Sequence, residues 1–134
     1  MTRTGGCKCG TVRYTIRLEP VTTRLCWCRD CQYWAAGNAA VNIVVPRAAL
    51  TVEGVPSAWD SVADSGSHMR RSFCGTCGTQ LFSEARENAE HMVVRVGTLD
   101  DAGGIRPESV IWTASAPPWA LIDPALKAFP GQPT

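Results

Sequence analysis

The sequence predicts a mainly β domain. Three observations carry this: period-2 alternation in short apolar runs, turn residues between those runs, and little helical patterning. Residues 10–18, GTVRYTIRL, set Val12, Tyr14, Ile16 and Leu18 against Thr11, Arg13, Thr15 and Arg17, the pattern of a half-buried strand. Further strands are expected over 21–25, 39–45, 57–63, 67–73, 79–83 and 91–97. Gly37-Asn38, Pro46, Gly54 to Pro56, Asp64 to Gly66 and Asp100 to Gly104 punctuate them, and antiparallel pairing is expected. One helix is expected over 123–129, DPALKAF, where Asp123 can cap, Pro124 suits the first turn and Pro130-Gly131 stops the run.

At 134 residues, 45% of them hydrophobic, the chain reads as one domain, 1–134, able to bury a core without depending wholly on covalent staples. The net charge is +1 with no single-sign run, which argues against a nucleic-acid partner, whose affinity rests on phosphate neutralisation. No apolar run approaches the roughly 20 residues that span a bilayer, and MTRTGGCKCG lacks the apolar stretch of a secretory leader. A cytoplasmic protein with no membrane partner is the expectation.

Seven cysteines are many for this length, and in a reducing compartment they read as metal ligands or catalytic thiols rather than disulfides. They fall into three groups: Cys7 and Cys9; Cys26, Cys28 and Cys31; Cys74 and Cys77. FCGTCGTQL has the form of a zinc knuckle, because Gly78 lets the turn aim backbone N–H groups at the sulfurs. A structural zinc takes about four ligands, and Cys7 and Cys9, flanked by Gly5, Gly6 and Gly10, can supply the other two. Other divisions of seven into four and three remain open on spacing alone, as does a redox pair at Cys74 and Cys77.

That division leaves CWCRDC with three sulfurs. Asp30, His68 and His91 are the protein candidates for a fourth ligand. The alternative is an open position for water or a substrate atom, the hallmark of a catalytic zinc site. Three thiolates bring Zn²⁺ to about −1, which disfavours zinc hydroxide and suits capture of a further thiol. Positive charge is then needed nearby, and Arg29, Arg70 and Arg71 adjoin the cysteine groups. Trp27, Tyr33 and Trp34 surround the motif as pocket walls or as core, and in a small β domain core is the commoner role.

GGCKCGTVRY, CWCRDC followed by AAG, RSFCGTCGTQLF and IWTASAPPW, in this order, resemble the glutathione-dependent formaldehyde-activating enzyme (GFA) family, also called the centromere protein V (CENP-V) domain family. The resemblance covers roughly residues 4–130. It implies an Mss4-like (β-tent) fold holding two zinc ions. Cys7, Cys9, Cys74 and Cys77 would hold the structural one, and Cys26, Cys28 and Cys31 the catalytic one. The implied activity is a carbon–sulfur lyase reaction that adds the glutathione thiol to formaldehyde, giving S-(hydroxymethyl)glutathione, so the implied partner is a small thiol or carbonyl. Arg29, Trp27, Trp34 and Arg71 are the expected substrate contacts. The chain carries Trp27, Gln32, Tyr33 and Val110 where the family commonly has histidine or basic residues, so a more apolar and less basic site is expected. A non-catalytic zinc-stabilised protein-interaction module, and a redox or metal-buffering protein, are the competing readings.

Overall fold

In the computed structural model, which describes residues 2–133, the alternation read over 10–18 buries one face, with Val12, Tyr14 and Ile16 inside and Arg13 and Thr15 half-buried. The strands are β1 (Arg3–Gly6), β2 (Arg13–Ile16), β3 (Thr22–Cys26), β4 (Ala40–Pro46), β5 (Leu50–Glu53), β6 (Ser57–Val62), β7 (His68–Phe73), β8 (Gln80–Ala85), β9 (His91–Arg95), β10 (Ser109–Ile111) and β11 (Lys127–Ala128). The single α-helix among the described residues is α1 (Arg29–Trp34). Two open sheets result, one of order β1-β2-β5 and one of order β11-β10-β3-β4-β9-β8-β7-β6. This mainly β, two-sheet arrangement suits the Mss4-like expectation. No helix of the described residues is long and apolar enough to cross a membrane.

The main core lies between the sheets. Tyr14 and Ile16 from β2, with Val12 just before it, meet Ile43 and Val45 from β4, Leu81 from β8, and Met92 and Val94 from β9. Each is almost fully buried, and a side chain of this size contributes roughly 1.5–3 kcal/mol when removed from water. The other face of the large sheet carries Arg24, Asn42, Val44, Arg71, Ser83, Val93 and Arg95, which line a groove. Period 2 therefore separates a dry face from a groove-lining one on the same strands.

Two expectations change. Pairing is antiparallel except at the β3–β10 and β10–β11 ladders, which are parallel. The chain leaves β9, runs through the turn-rich segment before Ser109, and returns alongside β3 in the same direction. The helix expected over 123–129 is absent. Asp123 accepts from Ala125 N at 2.8 Å through its side chain and from Leu126 N at 3.1 Å through its carbonyl, which makes a turn, and β11 follows. The same Asp-Pro chemistry serves a cap or a turn, and no apolar stripe is present to choose the helix.

Gly5 sits opposite Tyr14 across the β1–β2 ladder. A Cβ there would collide with the Tyr14 ring and the Thr98 carbonyl. Tyr14 Oη is bonded to Thr98 Oγ1 at 2.7 Å, and Thr98 Oγ1 donates to the Arg95 carbonyl at 2.7 Å. Tyr14→Phe should cost about 1 kcal/mol, the net worth of one buried hydrogen bond. Gly5→Ala should cost more, and adding Tyr14→Phe should not rescue it because the backbone carbonyl clash remains. Urea unfolding of the two single variants and the double variant checks this.

Candidate functional site

The sulfurs of Cys7, Cys9, Cys74 and Cys77 lie within 4.8 Å of one another, and so do those of Cys26, Cys28 and Cys31. All seven thiols are free. The first group arises from two hairpins of matching design. Cys7 and Cys9 occupy the β1–β2 connection, and Cys74 and Cys77 the β7–β8 connection. Gly10 and Gly78, each directly after the second cysteine, have φ of 85° and 80°, the left-handed region that a side chain resists. Thr11 and Thr79, one residue further on, place their hydroxyls 3.0 and 3.2 Å from the sulfurs of Cys9 and Cys77.

Backbone N–H groups complete these nests. Val12 N donates to Cys7 Sγ at 3.2 Å and Cys77 N to Cys74 Sγ at 3.5 Å. The Val12 N–H pulls the Cys7 thiol below its ordinary pKa, and the Thr79 hydroxyl and backbone bring Cys77 down to about 5. Donors aimed at sulfur favour thiolates, and four converging thiolates without a cation would repel one another. This all-sulfur donor set fits a soft or borderline divalent ion such as zinc.

The second group forms where β3 runs into α1. Cys26 ends the strand, Cys28 is the helix N-cap and accepts from Cys31 N at 3.3 Å, and Cys31 lies in the helix. Cys26 and Cys31 are buried, Cys28 is half-buried, and all three line the groove. Their protons divide unevenly. Contacts to Cys26 and Cys28, with the Arg95 guanidinium assisting, draw the Cys31 thiol far down. Contacts to Cys28 and Cys31, then burial, drive Cys26 far up. Three sulfurs this close ionise together only beside a cation, so this donor set fits a thiophilic metal as well. Among the described residues no histidine or carboxylate joins the cluster as a fourth ligand.

Three arginines line the same groove. Arg95, only 8% exposed, donates to Asn42 Oδ1 at 2.7 Å and points Nη1 at Cys31 Sγ, 3.8 Å away. Arg71, 4% exposed, bonds Ser61 Oγ at 3.0 Å, reaches Asp30 Oδ2 at 3.4 Å and stacks on Trp34 at 4.7 Å, while its buried Nε has no partner among the described residues. Arg24 is half-buried and makes no side-chain hydrogen bond or ion pair with any described residue. A buried guanidinium is tolerated where anionic charge faces it, which Cys31 supplies to Arg95 and Asp30 to Arg71.

The family model of the glutathione-dependent formaldehyde-activating enzymes matches residues 2–115. The chain belongs to the GFA family. A Rhodobacter sphaeroides protein of known crystal structure has a similar fold, with a TM-score of 0.58 and 24% identity over 78% of this chain and 91% of that one. No curated protein matches significantly.

For this GFA-family member, the groove takes up only some of the residues expected to touch substrate. Arg71 lines it, and Trp34 lies behind Arg71, packed on Trp59 at 6.2 Å. Trp27 and Arg29 do not reach it. Trp27 is 2% exposed and packs edge-on against Trp119, and Arg29 stacks over Tyr33 at the surface and bonds Gln32 Oε1. Gln32 is structural, donating to the carbonyls of Trp27 and Ser115 at 2.7 and 3.1 Å. Val110 is buried in β10. Asp30 turns to Arg71, His68 pairs with Glu87, and His91 bonds Asn88 while lining the groove. The groove is also more basic than expected, because Arg24 and Arg95 enter from neighbouring strands. Their sequence signals were available: Arg24 stands two residues before Cys26, hence on the same face, and Arg95 interrupts the apolar run VVRV.

Arg95→Met should weaken metal retention at Cys26, Cys28 and Cys31 by about 10- to 100-fold, the usual cost of losing a residue that supports metal ligands, and leave the other cluster unchanged. Chelator competition with metal analysis of the protein checks this, with Arg95→Lys expected in between.

Proposed function

We propose that the chain is a zinc-dependent carbon–sulfur lyase-type enzyme that joins a small thiol to formaldehyde or a similar carbonyl and catalyses the reverse. The carrying observation is the trio of converging sulfurs, open to the groove and joined by no fourth ligand among the described residues. In the forward direction the thiol sulfur attacks the carbonyl carbon. The S–C bond forms as the carbon–oxygen π bond breaks, and the proton lost by the thiol ends on the new hydroxyl, giving RS–CH₂–OH. Cys7, Cys9, Cys74 and Cys77 are the residues for a structural zinc, and Cys26, Cys28 and Cys31 for the zinc at the groove. Bound there, zinc would lower the pKa of a substrate thiol and hold it as a thiolate.

The chain's own residues do the rest. Asn42 fixes the Arg95 guanidinium, and Arg95 offsets the negative charge that builds at Cys31. Val44, Val93, Ile111 and Trp112 form apolar wall, which limits water and strengthens the charge interactions inside. Trp112 keeps its place through a left-handed backbone, φ 59°, and an indole N–H bonded to Gln132 Oε1 at 3.0 Å. Such strain in a non-glycine residue is tolerated where a particular side-chain direction matters. A binding module without catalysis has no need of cysteines opening into a lined groove.

Cys28→Ser should stay folded, lose one metal equivalent and no longer accelerate hydroxymethyl exchange between formaldehyde and added small thiols. Cys77→Ser should fail to fold, since a structural zinc contributes roughly 10–16 kcal/mol against a net domain stability of about 5–15 kcal/mol. Exchange NMR with labelled formaldehyde, metal analysis and circular dichroism read these outcomes. Equal unfolding of both variants would make CWCRDC structural and remove the proposal.

A further inference from the structure

Arg24 is the groove arginine whose side chain has no partner among the described residues. Arg95 is held by Asn42 and faces Cys31, and Arg71 is held by Ser61, Asp30 and the face of Trp34. The Arg24 side chain donates to no described residue, although Asn42 stands directly across the β3–β4 ladder from it. It lies on β3 two residues before Cys26, so both side chains leave the same face, roughly 7 Å apart along the strand. A guanidinium at that distance from a thiol-binding cluster is placed to receive the second functional group of the same molecule. Guanidinium matches carboxylate in charge and in paired N–H geometry.

The size of the groove limits that molecule. Its cavity volume is about 190 Å³, below the roughly 300–1,000 Å³ of sites that enclose drug-sized ligands. Glutathione is of that larger class. We infer that the groove is specific for a compact thiol bearing a carboxylate, with sulfur at Cys26, Cys28 and Cys31 and carboxylate on Arg24. Adjacent positions on one face of β3 call for a short link between the two groups. This inference rests on the reading that a substrate thiol docks at the three-cysteine cluster. A carboxylate held by Arg24 also keeps its charge away from the sulfurs, so it does not compete with the thiolates for Arg95.

The test uses 3-mercaptopropionate, its uncharged counterpart 3-mercaptopropanol, and glutathione, titrated calorimetrically into the metal-replete protein. The expected result is that 3-mercaptopropionate binds at least about tenfold tighter than the alcohol and tighter than glutathione. In Arg24→Met the acid should bind no better than the alcohol, and the alcohol should bind as it does to the unaltered protein. Arg24→Lys should restore part of the preference. Equal binding of acid and alcohol to the unaltered protein would overturn the inference, as would tighter binding of glutathione. Arg24→Met weakening both small thiols alike would also overturn it, because Arg24 would then be offsetting thiolate charge. In these outcomes the docking of thiols at the cysteines survives. Failure of every thiol to bind would instead overturn that docking, and with it both this inference and the proposed reaction.

Discussion

Sulfurs crowded within 4.8 Å of one another impose the constraint around which the rest of the chain is arranged. Thiolates at that separation repel strongly in a partly buried setting, so the surroundings must supply positive charge or directed N–H and O–H donors. At Cys7, Cys9, Cys74 and Cys77 the donors are turn amides and two threonine hydroxyls, delivered by hairpins with left-handed glycines. One hairpin belongs to the small sheet and the other to the large sheet. A cation held there would tie the two sheets beside the core they enclose. Joining residues so far apart in sequence adds only logarithmically to the closure entropy, so the distance is no obstacle.

The second cluster meets the same constraint differently. It has fewer sulfurs, greater burial and one guanidinium aimed at Cys31. Placing Cys28 at the start of α1 and Cys26 at the end of β3 turns the sulfurs toward the groove, on the sheet face opposite the main core. The arginines of that face come from three separate strands. Their grouping is a product of register: Arg24 neighbours Asn42 across one ladder, and Asn42 neighbours Arg95 across the next. Arg71 pairs with Ser83 two strands further over, and Ser83 pairs with Val93. Structural stability and the candidate chemistry thus share one sheet and are divided by its two faces.

Much of the fold was legible because β2 shows one buried face through alternation and because turn residues bound the runs that form β4, β7 and β9. Cys74, Cys77 and their glycine announced a knuckle in the same way. β1 and β5 were not legible: they are four residues each, and glycines stand where β1 passes closest to Tyr14. α1 is six residues inside a cysteine motif, too short for a helical period to show. Asp123-Pro124 looked like a helix start because an Asp side chain bonds nearby amides in turns and caps alike. Trp27 and Arg29 seemed to be groove residues because they adjoin the cysteines in sequence, yet a strand end and a helix start send neighbours to different faces. Arg24 and Arg95 required the cross-strand register, which no local pattern contains.

The central claim is that Cys26, Cys28 and Cys31 form an open three-thiolate site that accepts a substrate sulfur. Loading the protein with cobalt and recording X-ray absorption before and after adding a small thiol tests it most directly. The average number of sulfur neighbours per metal should rise on addition, because one of the two sites gains a ligand, and Cys28→Ser should abolish the rise. An unchanged sulfur count in the metal-replete protein, with thiol present in excess, would contradict the account.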